Sequence, residues 1–280
     1  LSDQSSRILE YLYVNCGVDL RGYRKETLER RLTVRMAATG CVSCGQYIDY
    51  LQEHPGECED FIDALTIKVS GFFRDPPVYE ILKNKTFPDL LSARTKQGKS
   101  FVSVWSAGCA RGQEAYTAAM LLHDLAAKEA PFLTLHIVGT DVDARSLQAA
   151  REGRYPAGEL AGTEEGFLKR YFVKEGDYYR VVPEIRRMVT FGRHNLTGMN
   201  SGGPSEGLFA SYDIIFCRNV LIYYNRDRQS RVLKRLAGML NTGGCLVLGK
   251  AESLPRELST AMPEAYRGTK IYFKRESLCL

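Results

Sequence analysis

The sequence predicts an α/β protein with a doubly wound, mostly parallel sheet, preceded by a small all-helical domain and carrying a small antiparallel β-insert. Three observations lead there. From about residue 100 onward, apolar runs of strand length alternate with amphipathic helical patterns, the order that builds a parallel sheet. Residues 1 to about 75 hold only helical patterns. Between about Arg151 and Arg193 the alternation breaks into "YFVKEGDYYRVV" and "RRMVTFG", short β runs around Gly176 that read as an antiparallel insert.

The helical part opens on a basic stretch. Six Lys or Arg fall between Arg21 and Arg35, on a segment whose Leu28, Leu32 and Met36 recur every four residues as a helix stripe should. Arg24, Arg31 and Arg35 share one face and Arg30 lies beside it. Such a face is either simply solvated or a docking surface for an acidic partner, a membrane headgroup or a nucleic-acid backbone. "VSCGQYIDYLQEH" and "GECEDFIDALTI" follow as short helices separated by Pro55 and Gly56. Cys41, Cys44, His54 and Cys58 have a spacing that could hold zinc, but helical periodicity continues straight after Cys44. They are expected to be buried or idle thiols, and no metal site is assigned.

"KVSGFFRD", residues 68–75, sets Arg74 against Phe72 and Phe73. A helix end, with the rings in a core and Arg74 and Asp75 in solvent, is one account of it. A connecting helix runs from Val78 to about Arg94. "SFVSVWSAGCARGQEAYTAAMLLHDLAA" is then a strand, a Gly-containing turn and an amphipathic helix. "LTLHIVGTDVDARSLQAAREG" repeats that cycle, "YDIIFCRNVLIYYN" with the helix after it makes another, and "GGCLVLG" and "KIYFKR" add two late strands. Ligands of such sheets lie at the carboxyl ends of the strands.

The first loop, Gly108 to Gly112, lacks the closely spaced glycines that a pyrophosphate needs and places an acid, Glu114, at the helix start. A carboxylate there repels phosphate and suits an ammonium group. Asp141, just after the second strand, stands where a carboxylate can bond two ribose hydroxyls. An adenine nucleoside with an amino-acid tail and no phosphate satisfies both, which describes S-adenosylmethionine.

Composition sets bounds around this. With 280 residues, 25% charged and 44% hydrophobic, the chain is an ordinary globular protein with room for one large core and a smaller partner domain. A net charge of +5 is too weak to indicate nucleic acid. No apolar run reaches the roughly 18 residues that span a bilayer, and the N-terminus lacks the order of a signal peptide, so a cytosolic protein is expected. Because the first residue is Leu1, a trimmed start is expected as well. Eight cysteines, several inside apolar runs, read as small buried hydrophobes and not as a disulfide framework.

"KVSGFFRD", "VWSAGCARGQEAYT", "GTDVD", "DIIFCRNVLIYY" and "GGCLVLGKAES" follow one another in an order and spacing that closely resemble the chemotaxis-receptor glutamate methyltransferase (CheR) family, across nearly the whole chain. The resemblance implies a class I methyltransferase fold in residues 76–280, with the β-insert at about 151–193, behind a helical domain of residues 1–75. It implies transfer of a methyl group from S-adenosylmethionine to glutamate side chains on the helical cytoplasmic domain of a chemoreceptor. That receptor would meet Arg24, Arg30, Arg31, Arg35 and the β-insert. Carried over by position, the resemblance makes Lys68, Ser70, Arg74, Glu114, Asp141, Asn195, Leu196, Arg218 and Asn219 cofactor-site residues, with Arg74 and Tyr223 at the transferred methyl. Lys68 stands where the family has Asn, Ser70 where it has Thr, and Gln113 and Ala115 alter the Gly-Glu-Glu-Pro-Tyr loop while Glu114 and Tyr116 remain. Arg218-Asn219-Val220-Leu221 lacks the two prolines of an amide-nitrogen methyltransferase loop. A regulator that binds S-adenosylmethionine without efficient turnover is the other function compatible with this fold.

Overall fold

The structure, a computed structural model, describes residues 3–65, 70–198, 203–204 and 210–275. Four helices come first: α1 (Asp3–Cys16), α2 (Lys25–Ala38), α3 (Cys44–Glu53) and α4 (Glu57–Leu65). Ser43 starts α3 by accepting the Gln46 N–H, as a residue just ahead of a helix should. Ile8, Leu12, Leu28, Leu32, Tyr47, Leu51 and Phe61 form one buried cluster among the four helices. Leu28 and Leu32 are the inward stripe of α2 that the periodicity predicts.

Two features of this domain depart from the sequence expectations. Arg35 points inward: its Nε donates to Glu57 at 2.8 Å, and the Tyr47 hydroxyl donates to the same carboxylate at 2.6 Å. Glu57 is only 4% exposed, so burying its charge requires that cation, and Arg35 is tied into the domain interior by this pair. Cys16 and Cys58 form a disulfide between the end of α1 and α4, where idle thiols were expected. Helical periodicity carries no information about which thiols from distant turns become neighbours. Cys41 and Cys44 are free thiols packed against the same core, and His54 stacks on Tyr50. Arg24 and Arg30 are exposed, and Arg31 is half-buried.

The second part begins with α5 (Pro76–Ile81), a five-residue π-helical turn (Leu82–Thr86) and α6 (Phe87–Lys96). Next come β1 (Phe101–Ala107), α7 (Gln113–Glu129), β2 (Thr134–Asp141), α8 (Ala144–Glu152), β3 (Arg154–Pro156), α9 (Glu165–Tyr171), β4 (Phe172–Glu175) and β5 (Tyr178–Val181). The chain continues through α10 (Pro183–Arg186), β6 (Val189–Arg193), β7 (Tyr212–Cys217), α11 (Arg226–Gly238), β8 (Leu240–Leu248), α12 (Arg256–Ser259) and β9 (Ile271–Phe273).

Six strands form the main sheet in the order β6-β2-β1-β7-β8-β9, parallel throughout except for β9. Its central strands are apolar on both faces, as a sheet covered on both sides requires. Val102 and Val104 of β1 enter one core, while Trp105 and Ala107 lie in the other. From β1 the chain steps one way to β2 and β6, then crosses back to β7 on the other flank. The crevice at the carboxyl ends of β1 and β7 is therefore where such a sheet takes a ligand.

β6 corrects the sequence expectation. "RRMVTFG" does not belong to the antiparallel insert; it pairs parallel with β2, from Ile137↔Val189 to Asp141↔Arg193, and forms the sheet edge. A short β run looks the same locally whichever sheet receives it. The antiparallel sheet is β3-β5-β4, with Glu175 paired to Tyr178 across the two-residue turn Gly176-Asp177. Phe72 meets Tyr155 and Phe172 edge-on, each at 5.0 Å, and Phe73 meets Phe167 at 5.1 Å. The paired rings beside Arg74 thus pack against the insert.

Candidate functional site

The loop after β1 is held against the end of β2. Gly108 and Cys109 donate their backbone N–H groups to the Thr140 carbonyl at 2.8 and 2.9 Å. Gly108 has φ +78°, and a Cβ there would sit 2.4 Å from Val220 Cγ2, so only glycine fits between the β1 and β7 loops. The next residue but one, Ala110, donates its N–H to Asp141 Oδ2 at 2.8 Å, and Asp143 donates to Oδ1 at 3.0 Å. Those bonds aim the Asp141 carboxylate at the loop. Glu114, in the first turn of α7, accepts the Ser106 hydroxyl at 2.8 Å.

Across the crevice, Arg218 leaves the end of β7 with its side chain 2% exposed. It donates to Asp75 Oδ2 at 2.8 Å and to the Arg74 carbonyl at 3.1 Å, and it lies 3.5 Å from Glu114. One guanidinium therefore joins α7 to the Arg74 segment. Non-glycine residues with positive φ gather here: Phe73 (+52°) and Asp75 (+64°) flank Arg74, and Ala110 (+47°) and Asn219 (+60°) belong to the β1 and β7 loops. Left-handed conformations cost about 1–3 kcal/mol each for such residues and persist where surrounding bonds impose them.

Two adjoining clefts share Gly108, Ala110, Asn219 and Tyr223. The first, about 680 Å³, is lined by Asp141, Asn195 and Leu196. The second, about 860 Å³, is lined by Ser70, Arg74, Glu114 and Arg218. All the residues expected at the site except one thus fall into one continuous crevice; Lys68 lies outside the described residues. Asn195 also closes a local turn, its Oδ1 accepting from Thr197 N–H at 3.0 Å.

Sequence reasoning missed a wall contributed by the helical domain. Tyr23 and Leu65 line the first cleft, with Val142, Ser146 and His194. Tyr23 forms a β-bridge with Tyr224 and meets its ring edge-on at 4.8 Å. The Arg24 N–H donates to the Tyr223 carbonyl at 2.9 Å, and the Asn225 N–H to the Gly22 carbonyl at 2.9 Å. Nothing local in "RGYRK" signals a partner some two hundred residues away.

Burial sets the electrostatics. It pushes the Glu114 carboxyl above its ordinary range, against the pull of Arg218 and the Ser106 bond. Asp141 is raised by burial too, against the bonds from the Asp143 and Ala110 N–H groups. The Tyr23 phenol is pushed up to about 12 by burial. At Tyr223 burial raises the phenol while the nearby cations Arg74 and Arg31 pull it down. Arg31 Nε is buried with no hydrogen-bond partner among the described residues.

The donor set fits an adenosyl amino acid. Asp141 presents a carboxylate with no ion pair among the described residues, Tyr23, Leu65 and Leu196 give the same cleft an apolar wall, and the neighbouring cleft holds one acid, Glu114, and one buried guanidinium. This fold and this crevice define a class I methyltransferase dependent on S-adenosylmethionine. Residues 68–268 match the model of the CheR methyltransferase SAM-binding domain, and residues 3–66 match the CheR methyltransferase all-alpha domain. The chain belongs to the CheR methyltransferase family, and S-adenosylmethionine is its cofactor.

Among its relatives, chemotaxis protein methyltransferase 1 of Pseudomonas aeruginosa is 32% identical over 249 residues, 87% of this chain and 88% of that protein. A chemotaxis protein methyltransferase of Borreliella burgdorferi is 28% identical over 95% of this chain and 94% of its own length. An uncharacterised 104.1 kDa protein of Rhodobacter capsulatus is 36% identical over 89% of this chain, which spans only 25% of that protein. No helix among the described residues is long and apolar enough to cross a membrane.

Proposed function

We propose that the protein methylates glutamate side chains on the helical signalling domain of a chemoreceptor, forming γ-glutamyl methyl esters and S-adenosylhomocysteine. Asp141 would hold the ribose hydroxyls, and Asn195 and Leu196 the adenine end. Glu114, Arg218, Ser70 and Asn219 would hold the amino-acid tail. The cofactor supplies an electrophilic methyl group on a sulfonium. A glutamate oxygen forms the new O–CH3 bond as the S–CH3 bond breaks, and the electron pair leaves on sulfur as a neutral thioether. With a reference pKa of about 4.3, glutamate is roughly 99% or more ionised at pH 7 and needs no general base.

The chain's task is then to orient a carboxylate and exclude water. One observation carries this reading: Arg74 from the loop before α5 and Tyr223 from the β7 loop line the same cleft as Glu114 and Arg218, so a cation and a hydroxyl face one crevice. A guanidinium beside a phenol is a receptor for a carboxylate and a poor one for an amine. Arg24, Arg30 and the β-insert remain the expected contacts for the acidic helices of the receptor.

The test incubates the protein with methyl-tritiated S-adenosylmethionine and chemoreceptor cytoplasmic fragments, then treats the product with base. Volatile tritiated methanol is expected from an ester. Base-stable label, or none on any fragment, would rule out glutamate esters as the product.

A further inference from the structure

We propose that Glu252 is a positioning residue for methyl transfer, acting through the turn that carries Tyr223 into the crevice; this rests on the role given to Tyr223 above. Glu252 lies after β8, is 5% exposed and touches neither cleft. Its carboxylate accepts four backbone N–H groups. Oε1 takes Val220 at 2.9 Å and Leu221 at 2.7 Å; Oε2 takes Asn219 at 2.9 Å and Gly249 at 2.7 Å. Three of those donors are consecutive residues of the β7 loop, and Leu221 opens the 3-10 turn Leu221–Tyr223. The left-handed Asn219 sits at the head of the same loop, which such a clamp can hold in place.

The clamp has a built seat. A Cβ on Gly249 would lie 2.8 Å from both the Asn219 nitrogen and Glu252 Oε2, so this turn admits only glycine at that point. Lys250, the residue after Gly249, reaches Asp75 Oδ1 at 3.0 Å, beside Arg74. One turn after β8 thereby braces both walls of the reactive cleft. Glutamine could not replace the carboxylate, because its NH2 group would face two N–H donors where Glu252 offers a second oxygen.

A double-mutant cycle tests the proposal, using wild type, Glu252→Gln, Tyr223→Phe and the double variant with a chemoreceptor fragment that the wild type methylates. Glu252→Gln should lower kcat about ten- to hundredfold in the wild-type background but less than about threefold when Tyr223 is already Phe. Deuterium uptake of peptides covering 217–224 should rise while those of β1 and β2 stay unchanged. Equal losses in both backgrounds, wild-type kcat in Glu252→Gln, or unchanged uptake would overturn the proposal. Tyr223→Phe with wild-type kcat would bring down the role of Tyr223 and this route with it, whereas additive losses bring down Glu252 alone. If Glu252→Gln does not fold, Gly249→Ala displaces the carboxylate without removing it and must show the same coupling; full kcat in that folded variant would overturn the proposal.

Discussion

Arg74 and Tyr223 reach one cleft from segments nearly 150 residues apart, so their separate removal reports on a shared event. Tyr223→Phe deletes one hydroxyl and should cost about 1–3 kcal/mol of transition-state stabilisation, roughly tenfold to a hundredfold in kcat. Arg74→Ala should cost more, since it removes a charge as well. Steady-state kinetics beside calorimetry with S-adenosylhomocysteine checks this; a folded Arg74→Ala protein with unchanged kcat would make the arginine structural. Glu114 carries a pH signature. Its carboxyl is raised by burial, so the folded protein binds that proton more tightly than the unfolded chain, and ionisation weakens the fold as pH rises through the raised value. Above that raised value the penalty is fully present, and there Glu114→Gln should melt higher than wild type while losing affinity for S-adenosylhomocysteine. Wild-type affinity should decline as pH falls through that raised value, where Glu114 takes up its proton. Glu114 and Asp141 were legible in the sequence because an acid at a helix start and an acid at a strand end have a position as well as a charge. Glu252 and Tyr23 were not, because what they do depends on backbone groups and rings supplied from elsewhere in the chain.

Elements tell a similar story on a longer length. In α2 the four-residue stripe gave the buried face correctly, yet Arg35 shares a helical face with Arg31 and does something different, because its partner Glu57 belongs to α4. Arg35→Ala should lower stability by about 3 kcal/mol, the scale for stranding a buried carboxylate, and a denaturant titration reads it directly. Arg30→Glu, on an exposed side chain, should leave that titration unchanged but slow receptor methylation at low salt, with the difference fading as ionic strength rises. Salt-independent rates in both proteins would return Arg30 to an idle solvated charge. Strand periodicity likewise announced β6 as a strand without revealing which neighbour it pairs with, since the pleat encodes faces and not partners.

For the whole molecule, cofactor and fold are thermodynamically linked. At a hundredfold excess over Kd, S-adenosylhomocysteine should add about 2.7 kcal/mol of stability, a shift on the order of 5 °C in melting temperature. Asp141→Ala should abolish that shift, and a retained shift would remove Asp141 from the ribose site. The order of strands and helices that makes this fold was readable from alternating patterns; the fit of the helical domain against the crevice was not. That fit has a further consequence. Asp19 reaches Arg228 at 3.3 Å, Arg228 holds the Thr197 carbonyl at 2.9 Å, and the stretch around Tyr23 is hydrogen-bonded to the Tyr223 loop. Two family models meet between residues 66 and 68, which makes the protein look like interchangeable modules. The seam does not fall there. A helical domain transplanted from a relative would bring a foreign wall to the cofactor cleft along with its own partner preference, so the two halves are bound to change together, and a chimera built at that boundary should lose affinity for its methyl donor before it gains a new receptor.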